Sequence, residues 1–115
     1  MAQNVYVMRA AIPQGTLDML ILQTLAPAGQ LHGFEIAESI RRTSADVLHV
    51  EEGSLYPALQ RMLVKGWIVG DWGRTDGNRR ARYYRLTAAG RRQLAREIDE
   101  YRRVSSAIAL ILQPA

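Results

Sequence analysis

A chain of 115 residues, 48% hydrophobic and 7% aromatic, is long enough for one globular domain with a modest core. It contains no cysteine, which excludes a disulfide framework, a thiolate nucleophile and a cysteine-ligated zinc site. No apolar run approaches the ~18 residues that span a membrane, and no signal peptide is recognised. We therefore expect a cytoplasmic protein without membrane contact, and its formal net charge of +4 is unevenly distributed.

Two helices are predicted in the first part of the chain. Residues 1–13 show no clear periodicity and are interpreted as an N-terminal extension. Apolar residues then recur at helical spacing after Thr16, which can act as an N-cap, until Pro27 and Gly29 end the helix. The same periodicity predicts a second helix from Gly33 to Thr43.

A third helix is predicted from Leu55 to about Lys65, with Ser54 as its N-cap. Pro57 would lie in its first turn, where a missing N–H costs little. Its outward face has hydrogen-bond donors and little acid. Gln60 can pair with an adenine edge, and Arg61 with guanine or phosphate. The predicted DNA contacts on this helix are Ser54, Tyr56, Pro57, Gln60, Arg61 and Lys65.

A basic β-hairpin is predicted next. Residues 67–72 and 81–86 have strand propensity and are separated by a turn over 73–78. Residues 74–92 carry seven arginines and one acid, a net charge of +6 within a chain of +4. Focused arginine attracts phosphate, so the predicted backbone contacts are Arg79, Arg80 and Arg82. Trp67 and Trp72, on either side of the first strand, are interpreted as core and hinge packing.

A long final helix is predicted from Ala88, capped by Thr87, to about Leu112. Its ~37 Å length, at ~1.5 Å per residue, exceeds what one small body needs. It carries a heptad-like series of mostly apolar residues, which predicts a homodimer. The predicted dimerisation residues are Leu94, Ile98, Tyr101, Ile108 and Leu112.

The order of elements predicts a mainly α fold with a small β-hairpin, a winged helix-turn-helix over 1–86 followed by a dimerisation helix over 87–115. The expected partner is double-stranded DNA. The alternative is a winged helix that serves only as a protein-interaction module. Catalysis and metal binding are not expected, because pairs such as His32 with Glu35 do not form a dense ligand cluster, and no cofactor is expected.

Four motifs resemble those of the PadR family of bacterial transcriptional regulators. Residues 31–36 (Leu-His-Gly-Phe-Glu-Ile) resemble its Tyr-Gly-Tyr-Glu-Ile element, and 53–57 (Gly-Ser-Leu-Tyr-Pro) resemble its Gly-Thr-Leu-Tyr-Pro motif. Residues 66–68 (Gly-Trp-Ile) and 82–87 (Arg-Tyr-Tyr-Arg-Leu-Thr) are similar to its entry to and exit from the wing. The departures are small, since His32 replaces the usual tyrosine and Ser54 the usual threonine.

The resemblance covers about residues 14–112 and is to the compact subfamily, which has a single C-terminal dimerisation helix. It implies a homodimeric regulator, usually a repressor, that binds an inverted-repeat operator and is released by a small-molecule effector. In some compact members a tryptophan on the last helix contacts an aromatic effector at the dimer interface. This chain has Tyr101 at that position, which makes Tyr101 the candidate effector-binding residue.

Overall fold

The computed structural model describes residues 9–13 and 15–114, so residues 1–8 of the expected N-terminal extension lie outside the described residues. The elements, in chain order, are α1 (Leu17–Ala28), β1 (Leu31–His32), α2 (Gly33–Thr43), α3 (Glu52–Val64), β2 (Ile68–Arg74), β3 (Arg80–Leu86) and α4 (Ala88–Leu112). The predicted class, mainly helical with a small sheet, is confirmed. No helix in the described ranges is long and apolar enough to cross a membrane.

The predicted bounds of α2 and α4 are confirmed. Both helices begin at a cap formed by residues that are close in sequence. The Thr87 hydroxyl accepts a hydrogen bond from the Gly90 amide at 3.0 Å, which pairs one of the free N–H groups of the first turn. At α2 the His32 amide donates to Glu35 Oε1 at 3.1 Å, and the two residues form a capping box. His32 and Glu35 therefore act together as a helix cap.

The predicted start of α3 is wrong. The helix begins at Glu52, with Glu51 as N-cap, and Ser54 lies inside it. The Ser54 and Leu55 amides donate to the Glu51 carbonyl at 3.0 and 2.9 Å, and a carboxylate in the first turn suits the positive end of the helix dipole. Pro57 consequently lies in the second turn, where it removes only the bond to the Gly53 carbonyl.

The sheet has three strands in the order β1-β3-β2, all antiparallel. The short strand β1 was not predicted, and it pairs Leu31 with Tyr84 and His32 with Tyr83. The hairpin turn is shorter than expected and spans residues 75–79, with the Thr75 amide donating to the Arg79 carbonyl at 2.9 Å. Strands β2 and β3 thus extend beyond the helices as a wing.

One hydrophobic core joins the three N-terminal helices to the base of the wing and to the start of α4. Its fully buried large side chains are Ile21, Leu22, Leu25, Ile36, Leu55, Leu59, Met62 and Ile68. Leu94 of α4 belongs to the same core. Gly90 allows this docking, because a Cβ there would lie 2.0 Å from the Trp67 carbonyl oxygen. The first turns of α4 therefore pack closely against the base of the wing.

Candidate nucleic-acid interface

One face of the wing is apolar at its base and basic towards its tip. Directly opposite residues of an antiparallel pair share a face, and Trp72 pairs with Arg82 while Gly70 pairs with Tyr84. Tyr84 is buried and belongs to the core. The face that carries Arg82 and Trp72 is therefore the same face that packs, nearer the base, against the helices.

The arginines predicted to bind backbone have no acidic partner in the described part of the chain. No carboxylate there lies within 4.0 Å of the side-chain nitrogens of Arg79, Arg80 or Arg82. On the opposite face of the wing, by contrast, Arg85 lies 3.9 Å from Asp71. The positive charge of the first face remains available to an external anion.

A groove of about 810 Å³ separates this basic face from the helices. The N-terminus of α2 contributes Gly33 and Phe34, and α3 contributes Glu52 and Tyr56. The wing side is lined by Trp72, Arg79, Arg80, Arg82 and Tyr84. The structure thus brings Tyr56 and the three wing arginines, which the sequence predicted separately, to one groove.

Tyr56 lies against the beginning of α2 and stays half exposed. A Cβ at Gly33 would lie 2.8 Å from the Tyr56 hydroxyl oxygen, so the glycine provides the space for the phenol ring. Tyr56 is 47% exposed, which leaves its hydroxyl beside the helix N-terminus, where anions are favoured. Burial raises the pKa of the neighbouring Tyr84 phenol, and Arg82 partly opposes that shift.

The exposed surface of α3 divides into three zones. Pro57 and Gln60 are exposed along its outer ridge, and Val64, which the sequence analysis did not select, is 80% exposed on the same ridge. Tyr56 lies on the flank nearest the wing. The predicted contacts Ser54, Arg61 and Lys65 lie on the other flank, which faces α1 and the segment before it.

Arg61 and Lys65 have partners within the protein. Arg61 lies 2.8 Å from the Asp18 carboxylate of α1, and the Lys65 ammonium lies 4.8 Å from the centre of the Trp67 ring. Both side chains line a cleft of about 1030 Å³ between α1, α3 and α4, to which Tyr101 also contributes. The sequence predicted that Arg61 lies on the outward-facing ridge of α3. The structure places it instead on the flank towards α1.

The predicted dimerisation residues also fall into two groups. Leu94 is buried in the core and Ile98 packs against it, so both stabilise their own protomer. Tyr101, Ile108 and Leu112 are exposed, by 50%, 50% and 75%. Further exposed apolar residues in this half of α4, not selected from the heptad spacing, are Val104, Leu110 and Ile111.

Trp67 and Trp72 differ in the same way. Trp67 is partly buried and packs against the core, as predicted. Trp72 is 60% exposed on the basic face, so its predicted packing in the core is wrong. The register of the wing explains the difference. The helices cover this face of the wing as far as Tyr84, which pairs with Gly70, and Trp72 lies two residues further towards the tip. Only the position of the helices relative to the wing, a tertiary feature, could have shown this.

Three helices with a wing after the third, a basic face on that wing whose arginines have no acidic partner among the described residues, and a long last helix define a winged helix-turn-helix protein. The model of the transcriptional regulator PadR-like family matches residues 21–96. The chain therefore belongs to this family, whose members are transcription regulators rather than enzymes.

Solved structures of related proteins agree with this assignment. The chain is similar to a transcriptional regulator from Clostridium thermocellum, with a TM-score of 0.79 at 27% identity over 87% of this chain and 96% of that one. A PadR family transcription regulator from Clostridium difficile has a TM-score of 0.73 at 31% identity, over 86% of this chain and 100% of that one. An uncharacterised protein of Lysinibacillus sphaericus is 28% identical, over 91% of this chain and 95% of that protein.

Proposed function

We propose that the protein is a homodimeric, sequence-specific DNA-binding repressor that a small-molecule effector releases from its operator. The observation that carries DNA binding is the groove between Tyr56 of α3 and Arg79, Arg80 and Arg82, which have no acidic partner in the part of the chain that the structure describes. In this proposal the ridge of α3 with Pro57 and Gln60 enters the major groove. The wing arginines hold the flanking backbone.

The proposed base readout depends mainly on Gln60. Its amide can donate to and accept from an adenine edge, and it is exposed with no hydrogen-bond partner among the described residues. Tyr56, Ser54 and the amides at the beginning of α3 are suited to phosphate. Lys65 lies on the flank and would contact backbone at the margin of the same interface, which Arg61 could reach only by leaving Asp18.

The proposed dimer is supported by the exposed apolar end of α4. Isolated soluble protomers rarely expose a large contiguous apolar patch, and a symmetric pair of such helices would cover it. Two-fold symmetry would present two copies of α3 at a separation of ~34 Å or a multiple of it, which fits an inverted-repeat operator.

The cleft beside Tyr101 borders this surface and is the proposed site of a small aromatic effector. Ligand there would change the separation of the two α3 helices.

The deciding experiment measures affinity for a random duplex across a salt series. A variant with Arg79, Arg80 and Arg82 changed to alanine should lose affinity for all sequences alike, and each removed phosphate contact should lower the salt slope by about one unit. The matched control changes Arg96, Arg102 and Arg103 on α4, which removes the same charge from exposed positions. An equal loss in both variants would show that only net charge matters. An unchanged affinity in the wing variant would refute the DNA-binding proposal and favour a protein-interaction module.

A further inference from the structure

Trp72 is the largest exposed apolar side chain on the basic face of the wing, and the proposed function leaves it without a role. The Arg80 guanidinium carbon lies 4.2 Å from the centre of its indole ring, and the Arg82 carbon lies 6.0 Å from it. A cation over an indole face is attracted by the ring quadrupole. One ring therefore contacts two of the three arginines that are proposed to bind backbone.

The sheet also limits the position of the Arg82 side chain. Its guanidinium carbon lies 6.0 Å from the centre of the Tyr84 ring, and its side chain crosses Gly70 on the neighbouring strand. A Cβ at Gly70 would lie 2.6 Å from Arg82 Nε and 3.3 Å from its Cγ and Cδ. Glycine interrupts a strand at some cost, and here the missing side chain provides the space in which Arg82 lies.

Arg82 forms no ion pair within residues 9–13 and 15–114. Its Nε atom is buried and has no hydrogen-bond partner in the described part of the chain. No carboxylate of the same residues lies within 4.0 Å of its side-chain nitrogens. Its orientation is therefore due to the aromatic rings and the glycine, which leave the full positive charge for an external anion.

We propose that Trp72 and Gly70 form a platform that orients Arg80 and Arg82 towards the phosphates of duplex DNA, so that two uncharged residues determine how well the wing binds. An arginine side chain loses considerable rotamer freedom when it binds a phosphate. A side chain that is already ordered before binding loses less. The proposal rests on the proposed function, because it requires that the wing contacts DNA.

The test compares Trp72→Leu, Trp72→Phe and Gly70→Ala on a random duplex across a salt series. Trp72→Leu and Gly70→Ala keep every charge, and each should weaken binding by about 3- to 10-fold, the effect of disordering one or two side chains. The salt slope should also fall, by up to about one unit, because fewer phosphates are neutralised on average. Trp72→Phe keeps an aromatic face and should retain most of the affinity. Phe34→Leu is the control, since Phe34 lines the same groove and no arginine of the described residues lies over its ring.

A double-mutant cycle separates the platform from a direct contact between Trp72 and DNA. Trp72→Leu should have little further effect in an Arg80→Ala, Arg82→Ala background if the ring acts only through these arginines. A direct contact would persist in that background and would leave the salt slope unchanged, which would overturn the proposal. Thermal unfolding of Gly70→Ala should show equal or greater stability, since alanine suits a strand better than glycine.

The possible failures are distinguishable. If the triple wing variant binds random DNA as the parent does, the proposed function fails and the platform with it. If the triple variant loses affinity while Trp72→Leu and Gly70→Ala do not, the wing binds DNA and only the platform is refuted. Gly70→Ala decides alone if Trp72→Leu does not fold.

Discussion

The wing and the far half of α4 both project from the core, and both are exposed, but their exposed side chains differ in kind. The wing presents Arg79, Arg80 and Arg82 beside Trp72. The last turns of α4 present aliphatic residues, with Leu110, Ile111 and Leu112 exposed by 72%, 82% and 75%. The first surface suits a polyanion, whereas the second suits another apolar surface.

The arginines of the two regions make the contrast sharper. On α4, Arg103 lies 2.6 Å from Glu100. In the helical body, Arg41 pairs with Glu38 and Asp46, and these partners raise its pKa. The wing arginines of the basic face have no such partner among the described residues. Some arginines of this chain thus form ion pairs within the protein, whereas others leave their charge available to an external anion. Only the neighbouring residues show which role a given arginine has.

The largest expected effect is on assembly. Changing Ile108 and Leu112 to aspartate would place unpaired charges in the proposed dimer interface, which costs roughly 3–5 kcal/mol for a buried charge. Both positions are exposed in the protomer, so its fold should survive. Light scattering at micromolar concentration should show a monomer, and operator binding should be lost while weak binding to random DNA remains.

Ser106→Asp is the matched control for assembly, because it adds a charge to the same exposed stretch, about 160° around the helix from Ile108 and about 120° from Leu112. It should leave the dimer intact. A parent protein that is monomeric at these concentrations and still binds its operator tightly would contradict the role of α4. Ile98 is unsuitable for this test, since it packs against the core of its own protomer.

A smaller effect is expected at Gly90, where the wing base and α4 meet. Gly90→Ala would press a methyl group against the Trp67 carbonyl, and a backbone atom cannot easily move aside. Overpacking of this kind costs typically 1–3 kcal/mol. Gly53→Ala is the control, because its Cβ would meet no described atom within 4 Å and alanine favours a helix. Chemical denaturation should show opposite changes in the free energy of unfolding, and equal changes would contradict the proposed contact.

Gln60→Ala tests the reading of bases separately from the binding of backbone. Loss of one good base contact should cost roughly 1–3 kcal/mol on the operator and relax the preference at one position. Affinity for random DNA should stay unchanged, unlike that of the wing variants. Selection of binding sites from a random library measures both. Preferences identical to those of the parent would show that α3 reads bases through other residues.

Local signals in the sequence predicted most of the fold. Helix α4 begins directly after its N-cap Thr87, and α2 begins at the His32–Glu35 capping box. Each cap consists of residues close together in the sequence, and both helices were predicted correctly. Ser54 misled the prediction of α3, because a good N-cap residue lay next to acids that also favour a helix start. The strand β1 was missed because two residues, one of them also the cap of α2, carry too little periodicity.

Tertiary contacts account for what the sequence could not predict about the site. The exposure of Trp72 depends on where the helices end along the wing, and the predicted core role was therefore wrong. The pairing of Arg61 with Asp18 joins residues 43 positions apart. A helical wheel of α3 shows only that Arg61 is exposed. Similarly, heptad spacing along α4 cannot separate Leu94, which the protomer buries, from Ile108, which it leaves exposed.

The smallest expected effect concerns Arg61, whose ion pair makes it resemble the paired arginines of the body. Asp18→Asn keeps the shape of the side chain and removes its charge. The pair is partly exposed, with side-chain exposures of 55% for Arg61 and 23% for Asp18, so the free energy of unfolding should fall by no more than about 1 kcal/mol. Released Arg61 could then reach a backbone phosphate at the edge of the interface. Affinity for random DNA should rise modestly, with a salt slope steeper by up to about one unit. Adding Arg61→Ala should return both quantities to about the parent values, because Arg61 is the only side chain paired with Asp18 among the described residues. If Asp18→Asn leaves the slope unchanged and Arg61→Ala alone does not affect operator binding, Arg61 only ties α3 to α1, and the DNA contacts of α3 come from its outer ridge and its wing-side flank.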